Sequence, residues 1–385
     1  MKKLIAAISL IALVLSLPVT VFSAEYAEDI PAEAKIGLSA ECAILTDADS
    51  GRVLFEKNAD KRMGMASTTK LMTALVALQI SDKNRVIAIP KEAVGVEGSS
   101  VYLVEGERLT LAELLRALLL SSANDAATAI AIALSGSVEA FAEKMNETAE
   151  GLGLIDTHFT NPHGLYDDEH YTTARELAII SAEALKNELI AEIVAEKKAT
   201  VPHDGEADKR LLVNHNKLLR SYKGAIGMKT GFTKKTGRCL VSAARRDGLT
   251  LIAVTLNAPD DWNDHHSLLD YGFDNFERKI FYTAGAFSYA LPLSDGEGET
   301  VTLTNLEPLV LTVKKDSSAA SFKVEAPFRF AVGEVRRGDT FGCVTLSADG
   351  HSVTSPLAFT ESSVGKTKHR KGFFERIFTF FSPDE

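Results

Sequence analysis

The sequence predicts an α+β protein in which helices pack on an antiparallel sheet, followed by a small all-β domain. Residues 35–275 show a strand pair, a series of helices, a second strand pair and a final helix, an order typical of that architecture. Composition shifts near residue 278, where Val, Thr, Gly and acidic turns become dominant and remain so to residue 362. With 385 residues, 45% of them hydrophobic, the chain can bury two cores.

The first 23 residues have the pattern of an export signal. Two lysines precede the apolar run Leu4–Leu17, and Val21-Phe22-Ser23 offers suitable residues for cleavage before Ala24. The alternative is a retained membrane anchor, which is disfavoured because a spanning helix needs about 20 apolar residues. We therefore expect an exported protein whose net charge changes from −10 to −12 when the two lysines are lost.

The elements that follow are predicted by local patterns. Two apolar stretches around the turn Asp49-Ser50-Gly51 indicate a β-hairpin over residues 42–56, and the sequence Asp247-Gly248 indicates a tight turn between two later strands. Helical spacing of apolar residues follows Lys70, and capping boxes are predicted at Thr110 and Thr173. Further predicted elements are a helix marked by Val138, Phe141, Met145 and Leu152, strands Arg238–Ala244 and Leu249–Asn257, a helix around Asp264–Tyr271, and strands Thr300–Leu303, Leu309–Val313, Ser321–Val324 and Cys343–Leu346.

The last residues, 366–385, combine basic and aromatic side chains. Phe373, Ile377 and Phe381 are four residues apart and share one helical face, and five Lys or Arg residues lie around them. A basic amphipathic segment of this kind suits a membrane surface and is too short to span one. We expect it to hold the protein peripherally on the membrane; the alternative is docking on the protein itself.

Charge and cysteine content exclude several classes of protein. No long basic stripe runs through the body of the chain, so nucleic acid is not an expected partner. Cys42, Cys239 and Cys343 are odd in number and far apart, so neither a fully paired disulfide framework nor a zinc site is expected. The sequence implies no metal or organic cofactor. It leaves open whether Cys42 and Cys239 pair.

Three short motifs carry reactive side chains. In Ser67-x-x-Lys70, the hydroxyl and the amine lie on one face at the start of a helix, where a neutral lysine can activate the serine. Ser122-Ala123-Asn124 sets polar groups between two apolar helical stretches, which indicates either a capped helix break or a proton relay with a substrate amide partner. Lys229-Thr230-Gly231 precedes a strand and can hold a substrate carboxylate, although Lys235-Thr236-Gly237 could do the same by spacing alone.

The three motifs in this order resemble those of the low-molecular-mass penicillin-binding proteins, specifically the D-alanyl-D-alanine carboxypeptidases of the S11 peptidase type. The stretches Met65–Thr73, Asn161–Leu165 and Gly227–Thr233 carry the resemblance, which covers residues 35–275 well and favours Lys229 over Lys235. It implies the transpeptidase-like fold shared with serine β-lactamases. Peptidoglycan stem peptides are then the expected substrates, and β-lactam antibiotics the expected covalent inhibitors.

The resemblance also implies roles for individual residues. Ser67 is the expected nucleophile, Lys70 the general base, and Ser122 the group that passes a proton to the leaving D-alanine. Asn124 and the segment Lys229–Phe232 are the expected substrate-binding residues: Lys229 and Thr230 bind the terminal carboxylate, and Gly231 lets the substrate backbone approach closely. The backbone N–H groups of Ser67 and Phe232 form the expected oxyanion hole, where a phenylalanine is a mild departure from the family pattern.

Alternative interpretations remain at this stage. A β-lactamase on the same fold would need a deacylating acid, and Glu176 is better explained by the capping box at Thr173. His163 and His170 belong to none of the three motifs, so structural roles are expected for them. A wall-binding protein with an inactive site is disfavoured because the motifs are intact. The sequence does not separate hydrolysis from transpeptidation.

Overall fold

A computed structural model describes residues 36–203, 208–317 and 319–364. The predicted export signal (1–23) and amphipathic tail (366–385) lie outside the described residues. The strands of the first domain are β1 Cys42–Asp47, β2 Val53–Lys57, β3 Val86–Ala88, β4 Arg108–Thr110, β5 Lys198–His203, β6 Asp208–Val213, β7 Ala225–Gly227, β8 Thr230–Thr233, β9 Gly237–Arg246 and β10 Leu249–Leu256. Its helices are α1 Lys70–Ile80, α2 Leu111–Leu120, α3 Asn124–Ser135, α4 Val138–Gly151, α5 Ala174–Lys186, α6 Glu188–Ala195, α7 Leu218–Ser221 and α8 Asp261–Asn275.

The main sheet is antiparallel, with strand order β2-β1-β10-β9, and β7 and β8 share the outer edge of β9. Both predicted strand pairs are present, and Asp247 (φ 49°) with Gly248 (φ 81°) forms the predicted tight turn. The sheet also answers the question about the cysteines. Cys42 is in register with Leu256 of β10, and Cys239 lies on β9 beyond that strand, so the two thiols are separated by a strand and stay free.

Helices cover both faces of this sheet. Alternate strand residues such as Ile44 and Val254 pack with the large helical layer that contains α1–α6, whereas Leu45 and Leu251 pack against α8. Because these strands are buried on both faces, their sequences are nearly continuous apolar runs. Within the described ranges no single helix is long and apolar enough to cross a membrane; α3 and α4 pass that test only as a pair, bent by 85° at their junction.

Of the two predicted capping boxes, one is present in full and the other only in part. Thr110 and Glu113 form the predicted capping box at the start of α2. Thr173 caps α5, but the prediction of a capping box there is wrong in its second half: the Glu176 carboxylate accepts hydrogen bonds from the backbone of Ile155 and Asp156 instead. Glu176 therefore anchors the turn that follows α4.

Residues after α8 form a separate all-β unit. Its strands are β11 Phe276–Tyr282, β12 Tyr289–Ser294, β13 Thr300–Asn305, β14 Leu309–Lys314, β15 Ala320–Glu325, β16 Ala331–Val332, β17 Thr340–Ala348 and β18 His351–Phe359. They make a sheet of order β15-β17-β18-β13-β12-β16 and a two-stranded sheet β11-β14. The four strands predicted for this region lie within β13, β14, β15 and β17. Arg52, on the turn before β2, donates to the carbonyl of Thr312 and so joins the two units.

Candidate active site

Ser67 lies in a short 3-10 helix, Ala66–Thr69, that runs directly into α1. Thr68 and Thr69 donate their hydroxyls to the carbonyls three residues before them, at 2.6 and 2.7 Å. Ala66 adopts a positive φ of 47°, a conformation that costs energy for a residue with a side chain. The turn is thus tightly determined, and it presents the Ser67 hydroxyl at the helix N-terminus.

Lys70 is fully buried, and three oxygen atoms surround its amine. The distances from Nζ are 2.9 Å to Ser67 Oγ, 2.7 Å to Asn124 Oδ1 and 2.6 Å to the carbonyl oxygen of His163. The amide and carbonyl oxygens can only accept, so they use two N–H bonds of the amine. A neutral amine has two N–H bonds and one lone pair. Of the three surrounding groups, only the Ser67 hydroxyl can donate a hydrogen bond to that lone pair.

Burial and a neighbouring cation together favour this neutral form. Desolvation lowers the pKa of Lys70 well below its usual value, and the charge of Lys229 lowers it further. Asp125 acts in the opposite direction, but its carboxylate is occupied by the backbone N–H groups of Val101 and Leu103. The lysine is therefore held as a base next to a serine.

Lys229 is the second buried amine of the site. It donates to Ser122 Oγ at 3.0 Å and to the carbonyl of Thr230 at 2.8 Å, and burial lowers its pKa to about 7. Ser122 has a positive φ of 59° at the break between α2 and α3, so its hydroxyl is fixed by strained backbone and not by an ordinary helix. Lys235, of the second Lys-Thr-Gly sequence, instead lies over the ring of Tyr166.

Strand β8 lies against the Ser67 turn. A Cβ atom built on Gly231 would be 3.0 Å from the Ser67 nitrogen and 3.1 Å from the Met65 carbonyl oxygen, so a side chain there would press on the Ser67 turn. Lys229 and Val241 exchange both backbone hydrogen bonds. Because hydrogen-bonding direction alternates along an antiparallel pair, the N–H groups of Thr230 and Phe232 point away from β9, toward the open edge of β8.

Asn124 links the second predicted motif to the first. Its Oδ1 accepts from Lys70, and its Nδ2 donates to the carbonyl of Glu97 at 2.6 Å. One N–H bond of the side-chain amide remains for another acceptor. Its substrate-binding role stays a prediction, whereas its contact with Lys70 was not predicted.

The loop 161–165 closes the site behind Lys70. Gly164 has φ 82°, and a Cβ there would lie 1.9 Å from the carbonyl oxygen of Ala66, so only glycine allows this packing. His163 contributes its backbone carbonyl to Lys70, and burial followed by the charge of Lys70 lowers the pKa of its ring to about 3. The buried ring of His170 contacts Thr69 Oγ1 at 2.8 Å. Both histidines support the site from behind.

An open groove of about 530 Å³ runs along the Ser67 turn and β8. Beyond Ser67 it is bordered by three cationic side chains, Lys217, Arg220 and Arg238, and by Trp262. Arg238 pairs with Asp261 at 2.9 Å and lies over the Trp262 ring. The groove is thus positively charged although the protein as a whole is acidic.

This geometry can be compared with known proteins. The profile of the D-alanyl-D-alanine carboxypeptidase family, peptidase S11, matches residues 28–260. The D-alanyl-D-alanine carboxypeptidase DacF of Bacillus subtilis is 31% identical over 372 residues, which covers 94% of this chain and 94% of that protein. The chain belongs to the D-alanyl-D-alanine carboxypeptidase family.

Solved structures show that this family member also shares its fold with known proteins. Penicillin-binding protein 5 of Haemophilus influenzae is 28% identical, with a TM-score of 0.72, and the match covers 86% of this chain and 99% of that structure. A mutant form of the Streptomyces K15 DD-transpeptidase is 34% identical, with a TM-score of 0.59, and covers 62% of this chain and 100% of its own. The predicted penicillin-binding-protein fold with a C-terminal β-domain is therefore confirmed.

Some residues of this carboxypeptidase-family site were not singled out by sequence reasoning. Arg238 on β9, Lys217 just before α7 and Trp262 on α8 reach the groove from distant parts of the chain, and none belongs to a short motif. The motif Lys229-Thr230-Gly231 opens a hairpin in which Arg238 pairs with Phe232. Extending the motif across its hairpin would therefore have pointed to Arg238. Among the described residues, no three His, Cys, Asp or Glu side chains are placed to hold a metal ion.

Proposed function

We propose that this protein is a serine D-Ala-D-Ala carboxypeptidase that removes the terminal D-alanine from peptidoglycan stem peptides. One observation carries the proposal. The amine of Lys70 is buried among three oxygens, and Ser67 is the member of that set that can give it a proton. This is the arrangement that an acyl-enzyme mechanism requires of a serine and its base.

The proposed first half-reaction forms an ester on Ser67. The hydroxyl proton passes to Lys70 while Oγ attacks the carbonyl carbon between the two D-alanines. The backbone N–H groups of Ser67 and Phe232 stabilise the oxyanion that develops, supported by the positive end of α1. Collapse breaks the C–N bond, and the proton that Lys70 accepted passes through Ser122 to the leaving nitrogen, which returns Lys70 to its neutral form. Ser122 is held in place for this transfer by its hydrogen bond from Lys229.

The second half-reaction restores the enzyme. Water attacks the ester carbonyl while Lys70 accepts its proton. The ester C–O bond then breaks as Lys70 returns that proton to Ser67 Oγ, and the shortened peptide is released. An amine acceptor in place of water would give transpeptidation, which is the activity named for the Streptomyces K15 relative. Hydrolysis is the proposed outcome here because most of the similar proteins carry the carboxypeptidase name.

Substrate binding is proposed to use both charge and the strand edge. Lys229 and Thr230 hold the terminal carboxylate, and Arg238 adds a second cation on the same side of β8. Asn124 donates its remaining N–H to the substrate backbone, which lies along the open edge of the strand. The 62% exposed Phe232 contributes its backbone, and its ring adds an apolar wall for the substrate or antibiotic.

We further propose that the protein is exported and acts at the outer face of the cytoplasmic membrane. Support comes from the sequence of residues 1–23 and from the basic, Phe-rich segment 366–385. A role in cell-wall biogenesis follows from the family and from the proposed substrate.

The proposed activity is tested with the mature protein, a fluorescent penicillin and a D-Ala-D-Ala peptide. Covalent labelling of the wild type together with release of D-alanine is expected, and the Ser67→Ala variant should show neither. Rapid loss of label with destruction of the antibiotic would indicate a β-lactamase. Absence of any labelling would contradict the serine mechanism.

A further inference from the structure

Apolar side chains are exposed on the segment that joins β15 and β16 of the β-domain. Phe328 is 65% exposed, Phe330 45% and Val332 59%, whereas Ala331 between them is buried. Val364, the last described residue, is 63% exposed. We call Phe328, Phe330, Val332 and Val364 the Phe patch. Clustered exposed apolar groups of this kind mark contact sites more often than isolated ones do.

Backbone hydrogen bonds fix the position of the Phe patch in the β-domain. Val332 pairs with Ser294 of β12, and the N–H of Gly333 donates to the Ser294 carbonyl at 2.7 Å. Val335 and Ser363 exchange hydrogen bonds at 3.1 and 3.0 Å, which brings the end of the described chain next to this segment. The patch and the start of the tail thus belong to one folded corner of the β-domain.

The tail therefore begins at the Phe patch. The carbonyl of Val364 accepts from the N–H of Glu297 at 3.0 Å, and residues 365–385 follow directly. Proposed membrane binding by those residues would bring the Phe patch to the same lipid surface. The β-domain elements that contact the catalytic domain are different ones, represented by Thr312 on β14 and Asp349 after β17.

The basic tail, more than the charge of the patch itself, favours lipid as the occupant of the patch. Arg329 and Arg337 flank the exposed apolar residues, but Asp295 follows the partner of Val332, and Glu297 bonds to Val364 through its backbone. The charges around the patch are thus mixed. Residues 366–371 contain four Lys or Arg and no acid. The case for lipid therefore rests on the tail, whose basic residues attract an anionic membrane and which begins beside the patch.

We propose that the Phe patch is a second membrane contact, which inserts Phe328 and Phe330 into an anionic phospholipid surface beside the tail. This inference rests on the proposed location at the membrane and adds to it. The β-domain is then fixed to the bilayer at two adjacent points, which restricts its orientation on the membrane.

The contact is tested with the full mature protein and vesicles of phosphatidylethanolamine and phosphatidylglycerol, about two to one, to supply negative charge. A Phe330→Trp variant reports insertion, because lipids brominated in their acyl chains quench a tryptophan that enters them. The wild type, whose one tryptophan is Trp262, gives the background. Vesicle binding itself is measured by sedimentation.

A second variant, Phe328→Ser with Phe330→Ser, removes the rings. We expect about tenfold weaker partition onto vesicles, because two partly inserted phenyl groups are lost. Ile155→Ser with Leu211→Ser is the matched control, since these side chains of the catalytic domain are 84% and 64% exposed. The control should bind as the wild type does, and all variants should release D-alanine from a soluble peptide at the wild-type rate.

Other results would overturn the inference. If the Phe330→Trp variant binds vesicles and its introduced tryptophan is not quenched, the tail is the membrane contact and the patch is excluded. Tighter binding by the serine variant would mean that the tail covers the patch. Altered self-association with unchanged partition would assign the patch to a second copy. Failure of the wild type to bind vesicles would overturn both membrane proposals, while D-alanine release would still test the catalytic one.

Discussion

Lys70 owes its reactivity to what surrounds it. Its amine is fully buried, and no carboxylate forms a salt bridge with it among the described residues. The partners at hydrogen-bond distance are neutral oxygens, which satisfy a neutral amine as well as a charged one. Desolvation of the ammonium therefore outweighs the opposing charge of Asp125, which is why the free base is favoured.

The first prediction concerns pH. Below its pKa Lys70 carries the proton that blocks it as a base, so acylation by penicillin should increase as pH rises through that lowered pKa. Replacing Lys229 with Gln removes a charge that lowers the pKa of Lys70, and the rising limb should move to higher pH. The measurement is the acylation rate of a fluorescent penicillin as a function of pH.

The control for this prediction is Lys229→Arg, which keeps the charge and should leave the position of the rising limb unchanged. If the acylation rate of Lys229→Gln rises over the same pH range as that of the wild type, Lys229 does not influence the base. A shift to lower pH would contradict the assignment of Lys70 as the group that must lose a proton.

A second prediction uses the contact between Asn124 and Lys70. The Asn124→Asp change preserves shape and introduces a carboxylate 2.7 Å from the amine, which raises the pKa of Lys70. We expect acylation at neutral pH to fall by about 10²-fold, and to recover in part at alkaline pH as the amine loses its proton. Acylation rates of both proteins across the pH range provide the measurement.

Asn124→Ala serves as the comparison, because it removes the oxygen without adding charge. Its loss of activity should not be recovered by raising the pH. Equal activity of the Asp variant and the wild type at neutral pH would show that Lys70 is not the base.

Side-chain chemistry at the site was largely predictable, and backbone chemistry was not. Ser67, Lys70, Ser122 and Lys229 were selected because they stand in three short motifs whose order resembles that of one family. The carbonyl of His163 contacts Lys70 from 93 positions away, and every residue has a carbonyl, so no sequence pattern marks it. Contacts of that kind require the fold.

At the scale of elements, the loop 161–165 makes the site depend on one glycine. We expect Gly164→Ala to lower both the acylation rate and the free energy of unfolding, the latter by more than the 1–3 kcal/mol roughly assigned to left-handed strain alone. The new methyl group would overlap the Ala66 carbonyl and displace the His163 carbonyl from Lys70. Acylation kinetics and denaturant unfolding measure the two effects.

Gly136→Ala separates strain from overlap. Gly136 ends α3 with a similar φ of 86°, but a Cβ there would meet no atom within 4 Å. This variant should lose stability through backbone strain only and should be acylated normally. Comparable behaviour of the two variants would mean that the packing of loop 161–165 on the Ser67 turn is unimportant.

Elements with strong local signals were predicted, and those defined by distant partners were not. The box at Thr110 and the turn Asp247-Gly248 rest on residues a few positions apart. In contrast, Glu176 binds backbone twenty residues earlier, where the sequence alone favoured its own helix. The hairpin β5–β6 was also missed, because its outward side chains include Leu211 and Val213 and hide the alternation of a surface strand.

At the scale of the whole molecule, the catalytic and β-domains are joined by polar contacts. Arg52 is buried at the junction, where it donates to the carbonyl of Thr312 and lies over the ring of Phe276. Asp47 accepts from the Thr312 hydroxyl at 2.8 Å. Sequence composition could indicate that two units exist, but Arg52 and Asp47 lie more than 200 positions from their partner and carry no pattern that reveals it.

The final prediction concerns this junction. Arg52→Met preserves much of the side-chain length but removes the cation, so the Thr312 carbonyl and the nearby Asp349 lose a buried partner. We expect a loss of about 3 kcal/mol or more in the free energy of unfolding, and separate thermal transitions for the two domains.

Arg278→Met is the control, because its contact with Asp49 is long (3.9 Å) and half-exposed and should contribute less than about 1 kcal/mol. Calorimetry measures both, and D-alanine release from a soluble peptide should persist, since the contacts of Arg52 lie outside the Ser67 groove. If Arg52→Met melts like Arg278→Met, apolar packing and not the buried cation holds the domains together.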